Sequence, residues 1–156
     1  MHTISCGYDG SAWLHDWSSG QSSYTTLLLQ SVDAEKLTSC GVLAGDRCTA
    51  MLVDEGGRAY VRDTRTPSAG AAPMQLHRRK IGALAVHPRE HDVFCTSAAD
   101  GPVLCMWDLR HCAQPVAQLA NDVDTTVPIF KAMQTRECAR VVKHLEFSPR
   151  GDRCAP

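Results

Sequence analysis

Several things are scarce or missing from this sequence. Aromatic residues make up only 6% of its 156 positions, so a core must rest mainly on aliphatic and small side chains. No apolar run approaches the roughly 20 residues of a membrane-spanning helix, and no membrane partner is expected. The opening Met1-His2-Thr3-Ile4-Ser5 lacks the charged and apolar regions of a secretory leader. Neither sign of charge dominates: Lys and Arg number 16, Asp and Glu 17, for a net charge of -1. That excludes a globally basic nucleic-acid coat but leaves room for a local basic patch. There is no phosphate-binding glycine loop, no G-x-S-x-G and no H-E-x-x-H. His15-Asp16 and His91-Asp92 are adjacent in sequence, which does not make a catalytic dyad. No catalytic residue, cofactor or small-molecule substrate is therefore expected.

Cysteine, by contrast, is plentiful. Eight stand at 6, 40, 48, 95, 105, 112, 138 and 154, and no two form a C-x-x-C. Paired knuckles are the usual zinc signature, so no metal site is expected. Without a secretory leader the thiols should stay reduced. Cys95 follows Val93-Phe94 and Cys105 lies between Leu104 and Met106, contexts in which cysteine acts as a small hydrophobe. Hydrophobic residues at 44% and charged residues at 21% describe a chain that can bury a core.

Three segments repeat one pattern. The first runs from Ile4 through Ser5-Cys6-Gly7-Tyr8-Asp9-Gly10 and Ala12-Trp13-Leu14 to His15-Asp16. The second runs from Ala50 through Met51-Leu52-Val53, Gly56-Gly57 and Ala59-Tyr60-Val61 to Arg62-Asp63. The third runs from Val93 through Cys95-Thr96-Ser97, Asp100-Gly101 and Val103-Leu104-Cys105 to Met106-Trp107-Asp108. Each reads as strand, tight turn and strand, because small and branched residues flank a glycine-bearing turn. The closing aspartates, Asp16, Asp63 and Asp108, recur at about 45 residues, the period of a four-stranded propeller blade. A fourth unit starts at Val142-Lys143-His144-Leu145-Glu146-Phe147-Ser148-Pro149. It alternates like a first strand and ends in proline, as Val86-His87-Pro88 does.

The expected architecture is all-β: a partial propeller, about three blades of seven, read as a fragment. Residues 1–17 are the end of a blade and 18–65 a second. Residues 66–119 form a third that carries Trp107-Asp108, 120–138 an insertion loop, and 139–156 the start of another. Pro102 is expected in a bulge or irregular turn, since proline cannot donate to a ladder.

The third repeat resembles a WD repeat: an opening histidine (His77), a proline after the first strand (Pro88), an Asp-Gly turn and a closing Trp-Asp. In that family a buried hydrogen-bond network joins the turn aspartate, the histidine, a strand hydroxyl and the tryptophan. The resemblance assigns those places to Asp100, His77, Thr96 and Trp107. The other repeats depart from the pattern. His15 and Arg62 replace the tryptophan, and Gly56 stands where the second turn aspartate would fall.

Trp107-Asp108-Leu109-Arg110 resembles the extended WD box found in substrate receptors of cullin-four ubiquitin ligases. In that family the arginine contacts the ligase adaptor. Arg110 is expected to project from the rim as a charge-assisted donor, and Asp63-Thr64-Arg65 offers a second, weaker copy. Trp107, Asp108, Arg110 and Arg65 are thus the candidate adaptor-binding residues. A basic run, His77-Arg78-Arg79-Lys80, lies before the first strand of the third repeat. Arg78, Arg79 and Lys80 are the candidate DNA contacts. Blade geometry puts this loop and the WD box at opposite ends of a sheet. Trp13 and Trp17 are expected to pack rather than to stack on bases.

Together, "SCGYDG", "DTR", "LHRRKI", "VHP" and "TSAADG…MWDLR" are similar to the damaged-DNA-binding WD-repeat proteins, in particular the WD repeat-containing protein 76 group. The resemblance implies a nuclear, non-catalytic scaffold in the DNA damage response. Its partners would be damaged or chromatin DNA, a cullin-four ligase adaptor and other proteins. A second reading stays open: a propeller that binds proteins or peptides and has no DNA role.

Overall fold

A computed structural model describes residues 2–17, 24–30, 35–45, 48–66, 72–98, 104–119 and 144–155. Among the described residues the chain is all-β, with no α-helix and one short 3-10 turn at Leu109–His111. The first sheet is antiparallel and contains β1 (His2–Cys6), β2 (Ser11–Asp16) and β3 (Tyr24–Gln30) in that order. The second contains β4 (Leu37–Val42), β5 (Thr49–Asp54), β6 (Arg58–Asp63) and β7 (Met74–Gln75). The third contains β8 (Ile81–Val86), β9 (Val93–Ala98), β10 (Leu104–Asp108) and β11 (Ala117–Leu119). A last pair, β12 (Glu146–Phe147) and β13 (Cys154–Ala155), opens a further unit.

Each sheet is a sequential meander, because two-ended hairpins need only short turns. In the first turn Gly10 adopts φ 76°, and Gly7 donates its N–H to the Ser11 carbonyl at 3.0 Å. In the second Gly57 adopts φ 81° and donates to the Asp54 carbonyl at 3.4 Å. These left-handed conformations are ones that glycine takes without steric cost. The β9–β10 turn, with Asp100 and Pro102, and the 120–138 insertion lie outside the described residues.

Strands β5 and β9 are buried on both faces, and the alternation of β5 divides the core. On β5, Ala50 and Leu52 join Ala12, Leu28, Leu29, Leu37 and Tyr60. Met51 and Val53 point the other way, to Ile81, Leu84, Phe94 and Trp107. A third cluster places Ala83, Ala85, Cys95 and Leu104 against Leu145, Phe147 and Cys154. Successive sheets therefore stack face to face, with β1 beside β4, β4 beside β8, and β8 beside β12. This is the blade arrangement expected from the repeats.

Two bulges occupy equivalent places. The register of β4 shifts between Leu37 and Ser39, and that of β8 between Ile81 and Ala83. An extra residue reverses the alternation. Leu37 and Cys40 consequently share one cluster, and Ile81 and Leu84 share another. Thr38, at the first bulge, gives its hydroxyl proton to the Ile81 carbonyl at the second, 2.6 Å away.

Other hydrogen bonds cross between sheets. Leu37 donates its N–H to the Gly7 carbonyl at 3.1 Å. The His87 Nδ1 atom accepts from the N–H groups of Arg89 and Glu90 at 3.2 and 2.7 Å. That leaves the proton on Nε2, which donates to the Gly151 carbonyl at 3.0 Å. The cysteines among the described residues are free thiols, with Cys95, Cys105 and Cys154 buried.

Sheet boundaries and repeat boundaries do not coincide. Residues 24–30, inside the 18–65 repeat, pair with β2 and complete the first sheet. Residues 74–75, inside the 66–119 repeat, pair with β6. A repeat that closes on its third strand leaves the fourth to the chain that follows.

Candidate nucleic-acid interface

The basic loop is positioned by backbone contacts that cross sheets. Gly57, in the β5–β6 turn, accepts from the N–H groups of Leu76 and His77 at 3.0 and 3.1 Å. Glu55 donates its N–H to the Lys36 carbonyl at 3.0 Å, and Leu37 is tied to Gly7 in the β1–β2 turn. Turns and loops from three sheets thus meet at one edge. Ile81 lies opposite Ala98, whereas Asp108 lies opposite Val93. Residues 78–80 and the Trp107-Asp108 box therefore sit at opposite ends of the third sheet.

The three candidate DNA contacts do not share one environment. Arg78 and Arg79 are exposed. Lys80 instead gives its ammonium to a Glu55 carboxylate oxygen at 2.5 Å, and Lys36 lies 3.7 Å from the other oxygen. Lys80, then Lys36, holds the Glu55 carboxyl below its ordinary range. Glu55 in turn raises the Lys80 ammonium above its usual value. Tyr8 belongs to this edge as well. The Lys80 and Lys36 ammoniums lie 5.4 and 5.6 Å from its ring centroid, within cation–π range. Tyr8 nevertheless remains 67% exposed.

Beneath this edge is the network expected from the third repeat. Trp107 donates its indole N–H to the Thr96 hydroxyl at 2.8 Å, and the His77 Nε2 atom lies 2.8 Å from the same oxygen. The His77 ring stands edge-on to Trp107, with centroids 5.5 Å apart. Three of the four assigned residues are joined in this way. The fourth, Asp100, falls outside the described residues.

The second sheet solves the same problem differently. Asp54 is wholly buried. Its carboxylate accepts from the Tyr60 hydroxyl at 2.8 Å, from the Arg58 N–H at 2.8 Å and from Arg58 Nε at 3.0 Å. The aromatic anchor is Tyr60 rather than a residue at the Arg62 position, and Arg62 lies over its ring at 5.8 Å. In the first sheet Trp13 donates to the Ser11 hydroxyl at 2.9 Å, and Ser11 donates to Asp9 at 2.8 Å. The Trp17 indole likewise donates to Thr3 at 2.8 Å. Both tryptophans stay exposed, Trp13 at 38% and Trp17 at 56%. Asp54 and Tyr60 were not evident from the sequence, because the buried acid stands before the Gly56-Gly57 turn and not at its tip.

At the opposite edge two aspartate–arginine pairs adopt one geometry. Arg110 donates to Asp108 through Nε at 2.9 Å and the Nη2 group at 2.6 Å, with its backbone N–H at 2.9 Å. Arg65 donates to Asp63 through Nε at 3.0 Å and the Nη2 group at 2.7 Å, with its backbone N–H at 2.8 Å. Each arginine folds back on its own aspartate while its side chain stays exposed, at 66% for Arg110 and 63% for Arg65. A two-residue spacing lets the aspartate cap the turn and fork the guanidinium at once. Both carboxyls are held down at about 2, chiefly by the guanidinium hydrogen bonds.

No protein-family model matches the chain. It is similar to the DNA damage-binding protein CMR1 of Phaeosphaeria nodorum, at 33% identity over 76 residues, covering 49% of this chain and 14% of that protein. It is also similar to the DNA damage-binding protein CMR1 of Meyerozyma guilliermondii, at 25% identity over 113 residues, covering 71% of this chain and 20% of that protein. The chain therefore spans a fifth or less of the length of these relatives. The matches support the resemblance to damaged-DNA-binding WD-repeat proteins.

Proposed function

We propose that this chain is part of a non-catalytic, nuclear propeller that associates with DNA in the damage response. DNA meets the edge that carries Arg78, Arg79 and Lys80. The observation that carries this reading is the exposure of Arg78 and Arg79, on a loop pinned by Gly57, in a chain similar to DNA damage-binding proteins. Cations held on a rigid edge contact phosphates and release counterions, which makes binding salt-dependent. Lys80 contributes less, because Glu55 already compensates its charge.

The opposite edge is proposed as the docking site of a cullin-four ligase adaptor, through Arg65 and Arg110 with Asp108 and Trp107 behind them. The paired aspartates fix each guanidinium at this edge, where both arginine side chains remain exposed. Charge reversal at Arg78 and Arg79 should lower DNA affinity and reduce the slope of log affinity against log salt by about two. Unchanged affinity and slope would remove the basic edge from the reading. Capture of the adaptor by wild type but not by Arg110→Ala would support the docking edge.

The alternative is a scaffold for proteins or peptides with no DNA role. The Lys80–Glu55 pair and the net charge of -1 favour it. It predicts no salt-dependent DNA binding by the wild-type chain.

A further inference from the structure

Tyr8 combines three properties. It is exposed, it lies within cation–π range of two lysine ammoniums from other sheets, and its turn is rigid. Asp9 accepts from the Ser11 N–H and hydroxyl at 3.0 and 2.8 Å. Gly10 donates to the Gly7 carbonyl at 3.2 Å, and the Gln30 amide reaches the Asp9 carbonyl at 3.2 Å. A large aromatic side chain on such a turn exposes apolar area that neither a core nor a neighbouring strand covers. The two ammoniums restrict where the ring can go, so ordering it further on binding costs little entropy. Lys80 also follows directly on Arg78 and Arg79, which are exposed in the same loop.

Aromatic rings flanked by cations are the common chemistry of single-stranded nucleic-acid sites. Bases stack on the ring while the cations track the phosphates. A paired base inside a regular duplex has both faces covered by its neighbours and offers none to such a ring. We infer that Tyr8 is a stacking platform for an unpaired DNA base, with Lys36, Arg78, Arg79 and Lys80 contacting the flanking phosphates. The inference rests on the DNA reading above and adds strand-state selectivity to it. Glu55 has a part in this. It holds both lysines at the ring and keeps the platform from becoming a general phosphate sink.

The test uses the whole chain with two probes, a fluorescent oligo-dT strand and a lesion-free duplex of equal length. Tyr8→Ala and Tyr8→Leu should weaken oligo-dT binding about 5- to 100-fold and leave duplex binding within about twofold. Tyr8→Phe should retain wild-type affinity for both. Tyr8→Leu keeps apolar bulk without a π face, so it separates stacking from simple contact. Circular dichroism identifies any variant that fails to fold. If both Tyr8 variants fold and bind oligo-dT normally while Arg78→Glu/Arg79→Glu loses both probes, the platform is wrong and the DNA reading stands. If the wild-type chain binds neither probe, the DNA reading fails and the platform with it.

Discussion

Thr38 and Ile81 lie in different sheets, and the threonine hydroxyl donates to the isoleucine carbonyl at 2.6 Å. Both residues belong to equivalent bulges in the first strands of their sheets. A bulge leaves backbone groups unpaired within its own ladder. Here the polar group freed by one bulge is satisfied by a side chain from the other. Thr38→Val, close to isosteric, should therefore destabilise the fold by about 1–2 kcal/mol by leaving a part-buried carbonyl without its donor. Thr38→Ser should recover most of that loss. Urea unfolding of the three proteins checks it; equal midpoints would mean that water replaces the hydroxyl.

Thr96 accepts from Trp107 and lies within hydrogen-bond distance of His77, so the three should be energetically coupled. Thr96→Val and Trp107→Phe should each cost about 1–3 kcal/mol. The double variant should cost less than the sum, by about 1 kcal/mol. A double-mutant cycle in denaturant measures this. Strict additivity would show that the indole and the hydroxyl contribute separately.

Gly57 joins stability to the basic edge. Its φ of 81° disfavours any Cβ, and a Cβ there would run into the His77 and Arg79 carbonyls. Gly57→Ala should destabilise the chain by more than 1 kcal/mol. It should also displace the loop that carries Arg78 and Arg79. The expected outcome is a lower unfolding midpoint together with weaker DNA binding. A normal affinity in the destabilised variant would show that the loop does not depend on this turn.

Asp63 and Asp108 should titrate far below ordinary aspartates. Both are held at about 2 by their arginines, whereas an unfolded aspartate titrates near about 3.9. A folded-state pKa below the unfolded one gives a contribution present at neutral pH and lost as pH falls through about 2. In the acid range between the two values, the unfolded chain binds more protons. Carboxyl NMR titration should give midpoints near 2 for both, and Arg110→Ala should move only Asp108 up. A normal midpoint for Asp108 in the intact protein would mean that solvent screens the fork.

Thiol reactivity should follow burial. Cys6 and Cys40 are partly exposed, whereas Cys95 and Cys154 are buried. The first pair should react with a maleimide in the folded chain, and the second only on unfolding. Mass spectrometry after a short pulse reads the order. Simultaneous labelling of all four would show that the third sheet and the β12–β13 pair open as readily as the first two sheets.

Much of this fold could be read from residue spacing. The recurrence of Asp16, Asp63 and Asp108, and glycines at the turns, gave the hairpins β1–β2 and β5–β6 and the strands β9 and β10. The Ile81-Leu84-Val86 pattern marked β8. The outer strands β3, β7 and β11 were not legible, because an edge strand with one covered face needs no strict alternation. β4 was also missed. Its bulge breaks the period of two, so Leu37 and Cys40 share a face that a regular strand would divide.

The candidate site was legible only in part. A run of three cations is visible in any sequence, but its compensation is not. Glu55 lies 25 residues from Lys80 in the chain and reaches it only because one sheet's turn abuts the next sheet's leading loop. Tyr8 comes to the same edge from still farther away. The Asp63-Thr64-Arg65 and Trp107-Asp108-Leu109-Arg110 motifs were recognisable by resemblance, but the fork of each arginine onto its own aspartate was not; it follows from a two-residue separation that suits capping.

The offset between repeat and sheet has a mechanical consequence. Because β3 and β7 each belong to one repeat and complete the sheet of the repeat before, a cut after residue 17 or after residue 65 takes the last strand from the sheet before it. Pulling on the 18–65 or the 66–119 repeat must first strip the edge of its predecessor. Load is therefore passed back along the chain, and the units behave as links that share their clasps.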